Sequence, residues 1–443
     1  MGLRTSNDKI AILTYFSGMI LVGSLLLMLP GAWQGPKPLP YIDALFTSTS
    51  AVCVTGLIVV DTALYSRFGQ AVIALLIQFG GLGLISFATI YIALPRRRIS
   101  LVNRSIIKDY YIDEVEFEPK RMIGNILAST FAMEAVGAGL LYLRFRDLPD
   151  GAFVAVFHAI SAFCNAGFST FPDNLEGYVA DPLVLFPMMA LIVAGGIGFV
   201  VLRDFAMRLK GRKRRLSYHS RVALAVTGIL LVLGAAVFLA LETDHAYSAL
   251  AGFQKALAAL FQAVTPRTAG FDTIPQDRLS GTSVLVTMLL MFIGASPAST
   301  GGGMKTTTFF VLALAAFRGT DDDGSVIIGR RSLPAKSIVK AVGIFGKAVA
   351  LVLASILAIL VAERVRVASG EIGLVQVIFE SVSAFATAGL SLGITPSLSL
   401  AAKLVLILTM FAGRIGLFAM SLPLRSRRLD RFVDFPTTDV LIG

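Results

Sequence analysis

Apolar and polar positions along this chain are organised on a scale of about a hundred residues rather than turn by turn. Apolar runs long enough for a ~30 Å hydrocarbon layer, about 20 residues each, recur from one end to the other. They come in pairs. Residues 10–29, 122–143, 221–241 and 336–361 form the first members, and residues 70–94, 182–209, 282–317 and 401–422 the second. Between the two members of each pair lies a helix-like stretch, at 41–50, 151–163, 246–264 and 371–385, followed by a more polar segment. These stretches suit re-entrant half-helices rather than spans.

The polar segments repeat. They read FTSTSAVCVTGL at 46–57, FHAISAFCNAGF at 157–168, FQAVTPRTAGF at 261–271 and FESVSAFATAGL at 379–390. Each opens on Phe, continues with a polar residue (Thr47, His158, Gln262, Glu380), carries Ser or Thr in the middle (Ser50, Ser161, Thr265, Ser383) and closes on Gly before Leu or Phe. The third copy is one residue shorter. The glycines Gly56, Gly167, Gly270 and Gly389 lie 111, 103 and 119 residues apart. An internal repeat of this kind decides the fold.

Composition agrees. The chain has 443 residues, 56% of them hydrophobic and 15% charged, a shift from soluble averages that points to a membrane protein. The run at 10–29 is too long for the apolar core of a signal peptide and is expected to be a mature span. The net charge of +11 gathers in a few connections, around Arg96–Arg98, Arg104, Lys108, Lys120 and Arg121; around Arg203, Arg208, Lys210, Lys213, Arg214 and Arg221; around Arg318, Arg330, Arg331 and Lys336; and around Arg425, Arg427, Arg428 and Arg431. Basic loops stay cytoplasmic, so this charge is a topology signal rather than a nucleic-acid footprint. Each second helix ends in such a loop, and Arg4 and Lys9 place the N-terminus on the same side. Eight spans and four re-entrant segments follow, all in one orientation. The repeats are parallel. Two cysteines, Cys53 and Cys164, and three scattered histidines build neither a disulfide framework nor a zinc site.

Non-helical backbone at membrane depth is tolerated only where it is buried or lines water. Four such strands around one axis present carbonyls to the centre, and a ring of carbonyls replaces the hydration shell of a cation, as in a potassium filter. Glycine is needed because some residues must take φ > 0. The residues ahead of the glycines, Val54 and Thr55, Asn165 and Ala166, Thr268 and Ala269, Thr387 and Ala388, share no side-chain chemistry. That heterogeneity points to backbone coordination of K+ at these positions. Tight helix packing, as at Gly137 and Gly139 or Gly195 and Gly198, does not require the Phe-polar preamble. Asp61, Asp173 and Asp272 follow their glycines closely, either concentrating cations at an outer mouth or simply solvating a loop.

The second helix of the third repeat is interrupted by GASPASTGGG at 294–303 and resumes as MKTTTFF. Gly and Pro at this density do not hold a helix. A loop within the membrane below the filter is expected, a candidate gate formed by Gly294, Ser296, Pro297, Ser299, Thr300, Gly301, Gly302, Gly303 and Lys305. The Gly-Met-Lys-Thr run lacks the Gly-Lys pair and preceding strand of a phosphate loop. Three charges fall within spans. Arg414 stands in the pore as an electrostatic barrier, pairs with the interrupted loop, or makes a structural ion pair. Lys305 anchors the loop or snorkels. Glu134, like Glu380, holds backbone amides or a cationic partner.

The four filter segments, GASPASTGGGMKTTT at 294–308, FAGRIGLF at 411–418 and the terminal DVLIG at 439–443 resemble the Ktr/Trk/HKT superfamily of potassium transporters, closest to KtrB-type membrane subunits. The likeness covers essentially the whole chain. The extra N-terminal helices of Trk-type members have no counterpart here, which favours the Ktr type. The resemblance implies one filter glycine per repeat, an intramembrane gate loop at 294–303 and a gating arginine at Arg414. It also implies a homodimer with one pore per subunit, a cytoplasmic RCK-type ring partner that binds ATP or ADP, stimulation by sodium ion, and residence in a bacterial cytoplasmic membrane with both termini inside.

The expected architecture is therefore all-α and membrane-integral, with four parallel helix–pore loop–helix repeats around a pseudo-fourfold central pore. The first repeat runs 1–94 with its pore loop at 41–58, and a cytoplasmic loop follows at 95–121. The second runs 122–209 (pore loop 151–169), then a loop at 210–220. The third runs 221–317 (pore loop 246–272), then a loop at 318–335. The fourth runs 336–443 (pore loop 371–391) and includes the tail. A carrier with alternating access predicts inverted repeats instead. An enzyme needs a nucleophile or metal constellation, which the sequence lacks. A scaffold leaves the four filter-like breaks unexplained.

Overall fold

The structure is a computed structural model that describes residues 2–93, 119–211, 215–319, 321, 324–328 and 331–415, with side chains at 10, at 12–83 and from 123 onward within those bounds. Most of the predicted loop at 95–121, the basic residues at 212–214, Arg330, the side chains of Arg4, Lys9, Lys120 and Arg121, and everything from 416 on, DVLIG included, lie outside the described residues.

Fifteen described α-helices fall into four quarters. The first holds α1 (Gly2–Leu27), α2 (Tyr41–Cys53) and α3 (Arg67–Ala93). The second holds α4 (Pro119–Phe145), α5 (Gly151–Phe163), α6 (Pro182–Ile197) and α7 (Phe199–Leu209). The third holds α8 (Tyr218–Glu242), α9 (Gly252–Val264), α10 (Gly281–Ile293) and α11 (Thr306–Arg318). The fourth holds α12 (Ala335–Ala362), the short α13 (Arg364–Ala368), α14 (Leu374–Ala386) and α15 (Leu400–Ile415). Local sequence sets many of their starts. Asp181 caps α6, with Pro182 opening it, and Ser217 and Ser280 accept the first amides of α8 and α10.

The short helices α2, α5, α9 and α14 are 13 residues each, about 20 Å of helix, and none can cross a bilayer alone. The interior holds apolar clusters like those of a soluble protein, but the exterior is apolar as well. Leu25 of α1, Val232 of α8 and Leu357 of α12 face outward. The centre holds buried hydroxyls, among them Ser48, Ser50, Thr55, Ser161, Thr265, Thr268, Ser383 and Thr387. An apolar exterior this continuous fits lipid rather than water.

Several expectations are corrected. The run at 182–209 is not one helix: α6 and α7 meet at 104°, because Gly198 has φ 91°. Helix α3 is kinked at Gly83, where φ is 45°. The sequence reading located such a break only at 294–303. The third short helix begins at Gly252 rather than near 246. The region expected to be a plain loop at 318–335 contains a small antiparallel pair, β1 (Val326–Ile328) with β2 (Arg331–Leu333), in register Val326 to Leu333. Among the described residues, three helices are long and apolar enough to span a membrane (Ile123–Phe145, Tyr218–Glu242 and Ala335–Ala362), and the bent α6–α7 pair has the length and apolar character for a fourth if it is one broken span. Glycine breaks divide the apolar runs of the third quarter at 294–303 and of α3 at Gly83.

The quarters close into a ring. Arg67 of α3 pairs with Asp150 at the start of α5 at 2.9 Å. The Leu175 amide donates to the Asp272 carbonyl at 2.9 Å. Phe292 packs on Phe385, their ring centres 5.8 Å apart. Lys403 of α15 reaches Asp43 of α2 at 2.8 Å, each side chain 12% exposed. Because that last pair is mostly desolvated, Lys403→Met should cost about 1–3 kcal/mol by stranding the carboxylate. Arg67→Met, at an exposed pair, should cost below about 1 kcal/mol. Thermal unfolding of the detergent-purified chain measures both.

Candidate functional site

The four glycine segments meet at the centre of the ring. Two residues ahead of each glycine the backbone turns left-handed: Val54 at φ 55°, Asn165 at 60°, Thr268 at 69° and Thr387 at 49°. The glycines follow at 93°, 72°, 72° and 85°. Thr55, Ala166, Ala269 and Ala388, in between, are not in that region. Positive φ at alternate residues turns successive peptide planes so that neighbouring carbonyls face one way. Val54, Thr268 and Thr387 are β-branched, the side chains least tolerant of this geometry. Each stores about 1–3 kcal/mol of strain that the surroundings must hold.

The approach is close enough to exclude any side chain. A Cβ on Gly56 would lie 2.6 Å from the Ala166 oxygen, one on Gly167 2.9 Å from the Ala269 oxygen, and one on Gly270 2.6 Å from the Ala388 oxygen. One on Gly389 would collide with the Thr55 oxygen. Each glycine thus abuts the carbonyl one residue ahead of the next glycine, once around the ring. All twelve predicted filter residues are brought together, and the shorter third segment keeps the same spacing from Thr268 to Gly270.

The preamble braces these turns. The polar residue after Phe ties each short helix to the chain beyond its glycine. Tyr65 Oη donates to Thr47 Oγ1 at 3.3 Å, and His158 Nε2 meets Ser169 Oγ at 3.0 Å. Gln262 Nε2 donates to Gln276 Oε1 at 2.9 Å. Glu380 accepts from Ser391 and, at 2.9 Å, from Thr395 Oγ1. The middle hydroxyls work closer in. Ser50 Oγ accepts the Gly56 amide at 3.0 Å, while Ser161 and Thr265 each donate at 2.7 Å to the carbonyls of Phe168 and Phe271. Ser383 makes no such bond.

The segment at 294–303 packs against the ends of the second, third and fourth short helices. Thr300 Oγ1 donates to the Phe163 carbonyl at 3.1 Å and lies 3.2 Å from Asn165 Oδ1. Gly301 is pressed against Thr268 and Gly302 against Thr387, with no room for a Cβ. Ser299 Oγ folds back on the Ser296 carbonyl at 2.6 Å, and Ser296 Oγ meets Thr306 Oγ1 at 2.9 Å. Lys305 Nζ donates to the carbonyls of Gly301 at 2.7 Å and Gly302 at 3.3 Å, so it anchors the loop rather than snorkelling. Arg414 donates to the carbonyls of Thr300 and Gly80, and to Gly81 at 3.1 Å. One guanidinium thereby joins the loop to the kink in α3.

The loop also completes the break between α6 and α7. The amides of Ser296 and Thr300 donate to the carbonyls of Gly196 at 2.9 Å and Gly195 at 3.2 Å, and the Phe199 amide donates to Ala298 at 2.9 Å. Pro297 lies against Gly198, and Gly294 and Gly303 make the loop's own turns at φ 47° and 65°.

A second glycine set, of which the sequence singles out only Gly195 for packing and Gly294 for the loop, recurs in all four quarters. Gly80, Gly195, Gly294 and Gly413 follow their filter glycines by 24, 28, 24 and 24 residues. In the first, second and fourth quarters this glycine packs against the end of its short helix, at the carbonyls of Val52, Phe163 and Phe385. In the third it touches the loop itself. The signal was available as near-constant spacing. It also shows that Arg414 takes the place of Gly81, Gly196 and Ala295, three small residues.

The other candidates resolve differently. Glu134 accepts from Gln78 Nε2 at 3.2 Å and lies 3.9 Å from Cys164 Sγ, a side-chain amide where a backbone amide or a cation was expected. Asp61 caps the Ala63 amide at 2.8 Å. Asp272 accepts from Gln276 Nε2 at 2.9 Å, and desolvation pushes its carboxyl well above the usual carboxylate range against that bond. Both acids brace loops.

The profile of the family described as "TrkH: Cation transport protein" matches residues 3–429. The Ktr system potassium uptake protein B of Bacillus subtilis is 37% identical over 90% of this chain and 88% of its own length. The potassium/sodium uptake protein NtpJ of Enterococcus hirae is 35% identical over 96% of this chain and 95% of its own. The crystal structure of the potassium transporter TrkH from Vibrio parahaemolyticus superposes with a TM-score of 0.76 at 20% identity, covering 94% of this chain and 84% of that one. That last match concerns the fold.

Gly80→Ala, Gly195→Ala and Gly413→Ala each drive a methyl into a backbone carbonyl, so each should cost about 1–3 kcal/mol or more. Gly139→Ala and Gly228→Ala, which meet open space, should not destabilise the fold. Thermal unfolding after detergent extraction separates the two groups.

Proposed function

The chain belongs to the TrkH family of cation transport proteins, a family of transporters rather than enzymes, and on that footing we propose that it takes up potassium ions across a bacterial cytoplasmic membrane. The observation that carries this reading is the closed ring in which each filter glycine abuts the carbonyl preceding the next. An entering K+ exchanges its water shell for backbone oxygens of Val54, Thr55 and Gly56, of Asn165, Ala166 and Gly167, of Thr268, Ala269 and Gly270, and of Thr387, Ala388 and Gly389. The C-terminal ends of the four short helices add a favourable potential for a cation. Potassium is the substrate, and the names of the Bacillus subtilis and Enterococcus hirae relatives support that assignment.

The loop at 294–303 is the gate. It is held across the exit by Lys305 and Arg414, and Arg414 adds a fixed positive charge on the ion path. Opening requires the Arg414 bonds to Thr300, Gly80 and Gly81 to break together. On this reading the quarters are four parallel repeats, 1–94, 122–209, 221–317 and 336–443, with eight spans, four re-entrant helices and both termini cytoplasmic. The family resemblance supports a homodimer, sodium ion as an activator, and a cytoplasmic RCK-type ring that binds ATP or ADP and drives the gate.

Sodium permeation is the second reading, favoured by the potassium/sodium uptake relative. Cation flux into liposomes containing the purified chain separates the two. K+ and Rb+ should pass in preference to Na+, and Gly270→Ser should lose rate or selectivity. Selective flux untouched by that change sinks the filter assignment, and equal Na+ flux favours the second reading. No flux even with a ring subunit present would remove the channel mechanism. Arg414→Ala should raise basal flux several-fold without changing ion preference, because one change removes both the latch and the barrier.

A further inference from the structure

Behind the third filter segment lies a positive charge that the transport mechanism does not use. Arg267, the residue before Thr268, is only 7% exposed. Its Nη2 donates to Thr227 Oγ1 of α8 at 3.2 Å, and its Nε is buried without an acceptor. Among the described residues no carboxylate lies within ion-pairing distance of it. The guanidinium and the Thr227 hydroxyl line a small cavity between α6, α8 and the end of α9, whose other walls are apolar, Ile192, Ile197, Leu231 and Val264 among them.

A guanidinium offers five donors and no acceptor. Buried among aliphatic side chains, with the C-terminal dipole end of α9 as partial compensation, it still favours a negative partner, because an unpaired interior charge is among the costliest features a fold can hold. At rest the cavity holds about one water-sized occupant, so an anion of chloride size seats by pushing the aliphatic side chains of Ile192 and Leu231 slightly outward. Thr227 is the tenth residue of α8, about 14 Å along the helix, too deep for a lipid phosphate. The Thr227 hydroxyl, which accepts from Arg267, still has its own proton to give.

We propose that this cavity is a binding site for a small monovalent anion of chloride size, held by the Arg267 guanidinium and the Thr227 hydroxyl. The anion neutralises the charge directly behind the filter, which would otherwise repel cations from the third segment. The site itself does not depend on the transport reading; only its effect on cation affinity does.

The test uses the full-length chain in detergent at constant K+, with chloride, bromide or gluconate as the anion. The thermal midpoint should be a few degrees higher in chloride and bromide than in gluconate, saturating with anion concentration, and Arg267→Met should lose that dependence. Bromide should give an anomalous peak beside Arg267 in crystals of the wild-type chain. If Arg267→Met does not fold, Thr227→Val decides: it keeps the cation and should weaken the apparent anion affinity several-fold. Equal midpoints in chloride and gluconate, or an anion shift that persists in Arg267→Met, overturn the proposal. In liposomes, gluconate replacement should raise the KM for K+ several-fold in the wild type only. Bromide bound by a chain that carries no K+ would leave the site standing and remove the transport reading instead.

Discussion

Four backbones approach one axis more closely than any side chain permits, and the rest of the molecule is arranged to hold them there. Glycine at the four closing positions removes the Cβ that would collide with a neighbouring carbonyl. The strain then falls on the residues two places earlier, three of them β-branched and all left-handed. Strained backbone persists only when its surroundings over-determine it. Here the surroundings are the short helices, the hydroxyls of Ser50, Ser161 and Thr265 bonded to the turns, and the outer braces from Thr47, His158, Gln262 and Glu380. The repeated preamble is thus one mechanical part made four times from different side chains.

A second constraint governs the level below. In a hydrocarbon layer every backbone group must find a partner inside the protein. A loop of ten residues there would strand its amides and carbonyls, and so would the bend between α6 and α7. Each supplies the other. The loop amides of Ser296 and Thr300 take the carbonyls of Gly196 and Gly195, and Phe199 returns an amide to Ala298. The kink at Gly83 leaves carbonyls to which Arg414 donates. Moving the loop would expose both partners of these exchanged bonds at once.

Much of this was legible in the residues. The fourfold motif, the short helices and the loop at 294–303 follow from periodicity and glycine density, whereas Arg414 stays open in the sequence between a pore barrier, the loop and an ion pair until its bond to Thr300 is seen. The breaks at Gly83 and Gly198 were not read, because one or two glycines in an apolar helix usually signal packing, and only a facing loop with unsatisfied amides turns them into breaks. Glu134 was assigned a backbone or cationic partner because sequence supplies no distances; Gln78, far away in the chain, takes that place. Arg267 went unremarked because a basic residue beside a polar segment resembles ordinary loop charge until its burial is known.

The sequence by itself determined which segments can be helical, which are too short to span, and where the backbone must leave the helix, since these depend on residue type and spacing within one stretch of chain. It determined the family for the same reason. Only the tertiary structure decided the order in which the four glycines meet, which hydroxyl braces which carbonyl, and that one interrupted helix completes another. Those are contacts between residues a hundred or more positions apart, and their partners are chosen by the closure of the ring rather than by any local preference.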